Sequence, residues 1–233
     1  MEIIHNLTTD GSLKIYQDTE LNSFSFDSVL LANFVKLNKR DTKIVDLCSG
    51  NAPVAMLLKH IYQTKVLDIK AVEIQPEVAE LARKSVLVNK LNSEIEVIEA
   101  DLKGINETIG ANTYNVITCN PPYFKLDETS NINPNEKVSY ARHEILVNIE
   151  DIIIESKKLL DNMGVLVLVF RPDRLDELII KLDKYNFKIK RLQFVYPKKG
   201  QKCNTILVEA KKVSNNSHLH IYAQRPLKMQ CLV

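Results

Sequence analysis

The sequence predicts an α/β domain with a doubly wound, mostly parallel sheet of seven strands. From residue 43 onward, short apolar runs rich in β-branched residues alternate with segments whose apolar residues recur at helical spacing. This alternation is typical of βαβ units, whose helices cover both faces of a parallel sheet. With 233 residues, 45% of them hydrophobic, the chain is long enough to bury one sizeable core.

Seven segments are predicted to be strands because they are short, apolar and bounded by polar or turn residues. They are residues 43–48, 69–74, 95–100, 114–119, 165–170, 189–195 and 205–210. Between them, stripes at helical spacing predict helices, the first of which contains Val54, Leu57 and Leu58. Pro76 suits the first turn of the next helix, where the amide hydrogen that proline lacks is not needed. We expect all of these stripes to face the core.

The pattern divides the chain into three parts. Residues 1–42 are predicted to form an N-terminal segment and a helix, residues 43–212 the α/β domain, and residues 213–233 a tail without assigned structure. Inside the α/β domain, residues 124–142 form a polar insertion without periodicity, which is either functional or disordered.

Several classes of protein are excluded by composition. No window approaches the roughly 18 consecutive apolar residues of a membrane span, and the N-terminus lacks a basic patch followed by an apolar run. We therefore expect a cytoplasmic protein that does not enter a membrane. The four cysteines lie far apart, which fits neither a zinc site nor a disulfide scaffold, so we expect core thiols and no bound metal.

The loop after the first parallel strand is the first candidate ligand site. It reads Asp46-Leu-Cys-Ser-Gly-Asn-Ala52 and lies where an open α/β sheet binds nucleoside-type ligands. Its single glycine, Gly50, departs from the G-x-G-x-x-G pattern, which disfavours a nicotinamide dehydrogenase. An ordinary strand-to-helix turn is the alternative interpretation.

Acidic residues stand at the ends of the next two strands. Glu73 follows Gly50 by 23 residues, close to the spacing of about 20 at which an acid binds ribose hydroxyls. Asp101 follows the third strand and places another polar group on the same sheet edge. A solvated strand end is the alternative for Glu73, but three acids at successive strand ends, counting Asp46, favour a ligand site.

The fourth strand runs into Asn120-Pro121-Pro122-Tyr123, the most specific motif of the chain. The prolines remove two amide donors, so the turn presents acceptors: the Asn120 side-chain oxygen and the Pro121 carbonyl. An amine with two N–H groups fits this pair, and Tyr123 offers a flat face for a planar substrate. A rigid turn without function is the alternative.

Together these motifs resemble the class I S-adenosylmethionine-dependent methyltransferases of the NPPY amino-methylating branch, whose fold is Rossmann-like. Over residues 10–212 the chain resembles the bacterial valine-tRNA (adenine-37-N6) methyltransferase family. The further segments that carry this resemblance are Phe24-Ser-Phe-Asp27, Ala141-Arg-His-Glu144, Arg171-Pro172 and Phe194-Val-Tyr-Pro-Lys198.

The resemblance implies a role for each matching residue. Asn120, Pro121, Pro122 and Tyr123 would hold and stack the target base. The cofactor S-adenosylmethionine would be bound without a metal by Phe26, Asp27, Asp46, Cys48, Gly50, Asn51, Glu73, Ile74, Asp101, Leu102 and Asn120. Arg142 and His143 would contact RNA or order the polar loop. The resemblance also implies that the N-terminal segment and helix within residues 1–42 cover the cofactor site. Asp27 has an alternative role as the N-cap of the helix that follows.

The charge distribution favours a nucleic-acid substrate. Residues 181–233 carry 12 Lys and Arg but only two acids, although the whole chain has a net charge of +2. Within this basic quarter, Lys198, Lys199 and Lys202 are candidate phosphate contacts, together with Lys188, Lys190 and Arg191. A solvated surface is the ordinary alternative.

The motifs and the charge thus predict a methyltransferase that modifies adenine N6 in an RNA, and the family resemblance implies that its target is adenine 37 of tRNA, beside the anticodon. A protein glutamine amide or an rRNA adenine or guanine amine is the alternative substrate. An RNA-binding module without catalysis is disfavoured because Glu73, Asp101 and Asn120 are all present. We expect the anticodon loop as the tRNA contact and a monomer or weak homodimer.

Overall fold

The computed structural model describes residues 1–21, 24–121, 147–198 and 200–213. Two strands form an N-terminal hairpin, β1 (Glu2–Asn6) and β2 (Lys14–Asp18). The strands of the central sheet are β3 (Lys43–Leu47), β4 (Asp68–Glu73), β5 (Ile95–Glu99), β6 (Tyr114–Cys119), β7 (Leu160–Phe170), β8 (Phe187–Val195) and β9 (Thr205–Lys212). The helices are α1 (Phe26–Phe34), α2 (Pro53–Ile61), α3 (Pro76–Val88), α4 (Asn106–Ile109), α5 (Ile149–Leu159) and α6 (Leu175–Lys184), with a 3₁₀ turn at Pro172–Arg174.

The central sheet confirms the predicted fold class. Its strand order is β5-β4-β3-β6-β7-β9-β8, and the pairs from β5 to β7 are parallel. Strand β9 runs antiparallel to both β7 and β8, so β8 ends at the same edge as the parallel strands. The chain moves outward from β3 to β5 and then returns to β6 on the other side of β3. The carboxyl ends of β3 and β6 therefore flank the point where the order reverses, which is where such sheets bind ligands.

Hydrophobic cores lie on both faces of the sheet, as the stripes predict. Val54, Leu57 and Leu58 of α2 are buried in one core, and Ile152 and Leu178 in the other. Cys119 is fully buried, whereas Cys48 and Cys203 are partly buried, and all three are free thiols. Within the described residues, no helix has the length and apolar character needed to cross a membrane.

The N-terminal hairpin is a feature that the sequence analysis missed. Its strands β1 and β2 pair in antiparallel fashion, and β2 lies along α3. The amide of Lys14 donates to Oδ1 of Asn89 at 2.8 Å, and the amide of Tyr16 donates to Oγ of Ser85 at 2.9 Å. The hairpin thus depends on side chains of α3, which lie some 70 residues further along the chain, rather than on a local apolar pattern.

Helix α1 is fastened to the last strands of the sheet. The guanidinium of Arg191 lies 4.1 Å from the centroid of the Phe34 ring and donates to the Phe34 carbonyl at 2.7 Å. The same guanidinium forms an ion pair with Glu209 on β9. These contacts fix the helix beside β9, so that its N-terminus reaches the carboxyl edge of the sheet.

Candidate active site

The loop after β3 turns by placing alternate residues in the left-handed conformation. Cys48, Gly50 and Ala52 have φ values of 53°, 56° and 63°. For Cys48 and Ala52 this conformation is strained, since only glycine adopts it without steric cost. The turn ends at Ala52, whose carbonyl accepts the amide hydrogen of Met56 in the first turn of α2. A β-carbon added at Gly50 would meet nothing within 4 Å, so open space lies beside this residue.

Glu73 connects this loop with the end of β4. Its Oε2 accepts the amide hydrogen of Gly50 at 2.9 Å, and its Oε1 accepts that of Gln75 at 3.0 Å. The carboxylate is buried, so both bonds are shielded from water. The side-chain amide of Gln75 also donates to Oε1 at 3.3 Å. Since a carboxylate offers about four lone-pair positions, Glu73 keeps the capacity to accept a further hydrogen bond, on Oε2, beside the open space.

Asp46 is the most perturbed acid of the site. Its side chain is 1% exposed, its Oδ1 accepts a hydrogen bond from Thr118 on β6 at 2.7 Å, and its Oδ2 has no partner among the described residues. The pKa of Asp46 is raised to about 7, mainly by burial and in smaller part by the negative charge of Glu73, while the hydrogen bond from Thr118 acts in the opposite direction. The unpaired oxygen is the kind of buried polar atom that a bound ligand satisfies.

The other predicted cofactor residues lie along the same edge. Asn51 is buried, and its Nδ2 donates to the carbonyl of Tyr16 at 2.8 Å, which ties the loop to β2. Asp101 is exposed after β5 and accepts the amide hydrogen of Lys103 at 2.9 Å. Leu102 is buried in the core, and Ile74 is partly buried beside Glu73.

Asn120 follows β6 directly and presents an unpaired acceptor. Its Nδ2 donates to Oγ of Ser28 at 3.2 Å and to Oγ of Ser25 at 3.4 Å. Its Oδ1 is buried and has no hydrogen-bond partner among the described residues. Pro121 is buried beside it. Sequence reasoning missed Ser28, although serines precede and follow Phe26-Asp27 at the start of the helix.

The residues before α1 reach over this edge from the N-terminal side. Ser25 occupies the N-cap position, so the interpretation of Asp27 as the N-cap is wrong. Asp27 lies in the first turn instead, where its Oδ1 accepts a hydrogen bond from Thr205 at 3.4 Å and burial raises its pKa. Phe26 is 46% exposed, which leaves its ring available for contact.

The basic residues of the last quarter divide into two groups. Lys198 and Lys202 are exposed on the connection between β8 and β9, at the same edge as Asn120. Lys188 forms an ion pair with Asp183, and Arg191 pairs with Glu209, so both have partners within the fold.

Five predicted site residues lie outside the described part of the chain. They are Pro122, Tyr123, Arg142, His143 and Lys199. In the described part, no group of three or more His, Cys, Asp or Glu side chains has an arrangement suited to a metal ion.

The described residues together form an edge lined with acceptors. Carboxylate oxygens of Asp46 and Glu73 lie on one side of the switch point, and the unpaired Asn120 oxygen lies on the other. Such an arrangement suits a ligand with several N–H or O–H donors, and it suits an amine placed at Asn120.

Comparison with known proteins identifies the domain. The family model described as the methyltransferase small domain matches residues 23–183. A tRNA1(Val) (adenine(37)-N6)-methyltransferase of Porphyromonas gingivalis is 28% identical over 151 residues, which are 64% of this chain and 57% of the relative. The matched region thus spans little more than half the length of that relative.

Solved structures share the fold of this domain. A "predicted O-methyltransferase" of Agrobacterium tumefaciens superposes with a TM-score of 0.63 at 22% identity, covering 84% of each chain. TYW2 of M. jannaschii in complex with AdoMet superposes with a TM-score of 0.57 at 15% identity, covering 90% of this chain and 85% of that one. At these identities the likeness concerns the fold.

Proposed function

Because the chain belongs to the methyltransferase small domain family, we propose that it transfers a methyl group from S-adenosylmethionine to the N6 amine of an adenine in tRNA. The target that we propose is adenine 37, beside the anticodon. The observation that carries the proposal is the buried, unpaired Oδ1 of Asn120 at the switch point of the sheet. That atom is an acceptor without a donor, at the place where the substrate of such a fold binds.

The donor S-adenosylmethionine supplies a methyl group on a positively charged sulfur. The described residues fit such a molecule because they combine open space with hydrogen-bond acceptors. Open space lies beside Gly50, and Glu73, held by the amides of Gly50 and Gln75, keeps acceptor capacity for ribose hydroxyls. Asp46 would shape the methionine end of the pocket, and Asp101 would accept a hydrogen bond from the adenine amine of the donor. TYW2 of M. jannaschii, a solved structure of the same fold, is in complex with AdoMet, which supports S-adenosylmethionine as the donor.

The acceptors at the end of β6 would hold the target amine. Asn120 Oδ1 and the Pro121 carbonyl each accept one N–H of the adenine amine, which favours a pyramidal nitrogen with an available lone pair. The amine needs no strong base, because it loses its proton only as the bond to carbon forms. We assign Tyr123, from the sequence motif, to stacking on the target base.

The substrate class is inferred from relatives and from charge. The P. gingivalis relative is named as a tRNA methyltransferase that acts on adenine 37. Lys198 and Lys202 are exposed at the edge that holds Asn120, where they would contact phosphates of the same RNA. An adenine in a loop is also easier to extrude than one in a duplex. A tRNA substrate would place the protein in the cytoplasm.

The test is methyl transfer from labelled S-adenosylmethionine to total tRNA from a strain that lacks this gene, followed by mass spectrometry of the nucleosides. We expect N6-methyladenosine in tRNA, and sequencing of the labelled species would locate it at position 37. Parallel reactions contain the rRNA fraction and the protein fraction of the same strain. Label in rRNA or in protein glutamine, with none in tRNA, would overturn the proposed substrate. Absence of label in every fraction would overturn the proposed activity.

A further inference from the structure

The amide of Asn120 must point one way for the proposed chemistry. A carboxamide has an acceptor end and a donor end of nearly equal size, so its shape alone does not decide which end faces the substrate. If the NH₂ group faced the target amine, two donors would meet and the amine would be repelled. The orientation therefore has to be fixed by the partners of the other end.

Two serine hydroxyls provide those partners. The two hydrogens of Nδ2 are directed to Oγ of Ser28 at 3.2 Å and to Oγ of Ser25 at 3.4 Å. Each hydroxyl oxygen can accept, so both donors of the amide are satisfied and Oδ1 is left as the unpaired end. In the reversed orientation the two hydroxyls could donate to Oδ1, but Nδ2 would occupy the buried position that offers no acceptor among the described residues. Two N–H donors would then be buried without partners, whereas the observed orientation leaves one acceptor unpaired, so the reversed orientation is the less favourable one.

The serines are themselves held by the start of α1. Ser28 is 3% exposed, and its amide donates to the Ser25 carbonyl at 3.1 Å. Ser25 stands at the N-cap position, yet its hydroxyl makes no capping hydrogen bond, so it is available to Asn120. Ser25 is exposed and water can replace it, whereas water has little access to Ser28.

The geometry points to Ser28, assisted by Ser25, as a positioning residue that fixes the Asn120 amide with its oxygen toward the target amine. This inference rests on the proposed function. It assigns the start of α1 a part in methyl transfer that is separate from binding of the methyl donor. Because neither serine touches the reacting atoms, each acts through Asn120.

A kinetic comparison separates positioning from a structural role. We expect Ser28→Ala to lower kcat at least tenfold while the KM for S-adenosylmethionine changes less than about threefold. Ser25→Ala should lower kcat by a smaller factor. The double variant should lower kcat by at least the same factor as Ser28→Ala. The matched control is Ser156→Ala, which removes an equally buried helical hydroxyl on α5 and should leave kcat unchanged.

A second variant guards against loss of folding. Ser28→Cys keeps the shape of the side chain with a somewhat larger γ atom, but its sulfur accepts hydrogen bonds poorly. It should lower kcat nearly as much as Ser28→Ala, with a melting temperature close to that of the unchanged protein. Unchanged kcat in both Ser28 variants would overturn the inference.

A measurement that does not depend on activity distinguishes this inference from the proposed function. In protein labelled with ¹⁵N-asparagine, the Asn120 side-chain signals, assigned by comparison with Asn120→Asp, should show slow hydrogen exchange. In the double variant Ser25→Ala/Ser28→Ala, we expect exchange at least tenfold faster. Equal exchange in both proteins would overturn the positioning role, even if methyl transfer is confirmed. If the unchanged protein transfers no methyl group, the proposed function fails, while the exchange rates still decide the role of the serines.

Discussion

The hydroxyl of Thr118 donates a hydrogen bond of 2.7 Å to the buried carboxylate of Asp46. The two residues are register partners on the adjacent strands β6 and β3, so the bond joins the two strand ends that flank the switch point. It links the loop that carries Gly50 with the motif that begins at Asn120. Asp46 is nevertheless far more easily protonated than an ordinary aspartate, because burial raises its pKa to about 7.

This pKa predicts that stability falls as pH rises. Between the ordinary pKa near 4 and the folded value near 7, the folded protein keeps a proton that the unfolded chain has released, so raising the pH favours unfolding. The free energy of unfolding, taken as the difference between the unchanged protein and Asp46→Asn, should fall by about 2.5 kcal/mol from pH 5 to pH 8. Urea unfolding of both proteins at several pH values measures this difference. Parallel profiles would show that Asp46 does not titrate in this range.

The second prediction concerns the acceptor at the end of β6. Asn120→Ala removes Oδ1 and should lower kcat by about a hundredfold or more, as loss of one preorganised hydrogen-bonding group does in other enzymes. The resemblance also places Asn120 among the cofactor residues, but most of the proposed cofactor contacts come from other residues, so binding of S-adenosylhomocysteine, measured by calorimetry, should stay within a few-fold of the unchanged protein. Full methylation activity in this variant would refute the acceptor role.

Much of the fold was predictable because the parallel sheet is encoded locally. Strands β3 to β6 lie within one residue of the predicted bounds, since buried parallel strands are continuous apolar runs. Strand β7 begins at Leu160 rather than Val165, because Tyr114 pairs with Leu160 beyond a register shift. The N-terminal hairpin was not predictable, since its partners Ser85 and Asn89 come from a distant helix.

The site was predictable in part for the same reason. Asp46, Glu73 and Asn120 stand at strand ends, and the parallel topology brings strand ends together. The hydrogen bond between Asn120 and Ser28 joins residues 92 apart in sequence. Such a contact could not be predicted, because a periodic pattern gives information only about neighbouring residues. The left-handed conformation of Cys48 and Ala52 was equally hidden, because neither residue type favours it.

The third prediction concerns the hydrogen bond by which Glu73, at the end of β4, holds the loop that contains Gly50. Glu73→Ala leaves the Gly50 amide without its acceptor and removes the proposed ribose contact. The Kd for S-adenosylmethionine should rise at least tenfold, as measured by calorimetry. Glu96→Gln is the control, since Glu96 is an exposed acid at the start of β5 that pairs with Lys70, and its Kd should not change. An unchanged Kd in Glu73→Ala would remove Glu73 from the cofactor site.

The fourth prediction uses the open space beside Gly50. Gly50→Ala places a β-carbon there, and the left-handed φ of 56° makes alanine unfavourable by about 1 kcal/mol. We expect both a loss of stability and weaker binding of S-adenosylmethionine. Gly200→Ala introduces similar strain at a φ of 85°, also with nothing within 4 Å, but on the connection between β8 and β9. It should reduce stability without changing the Kd, and equal Kd values for both variants would place the cofactor elsewhere.

The last prediction concerns the exposed lysines at the active edge. Reversing the charge of Lys198 and Lys202 should weaken tRNA binding. The plot of log association constant against log salt concentration should also become less steep, by up to about 2, because each phosphate contact releases about one counterion. Lys39 and Lys43 are the matched control, since both are exposed near the opposite end of β3. Reversing their charge changes the net charge of the protein by the same amount, so any shared effect reports long-range repulsion alone. Filter binding at several salt concentrations measures both slopes. Equal slopes in the two double variants would exclude Lys198 and Lys202 from the RNA interface. A less steep slope in the Lys198/Lys202 variant alone would place RNA phosphates at the edge that holds Asn120.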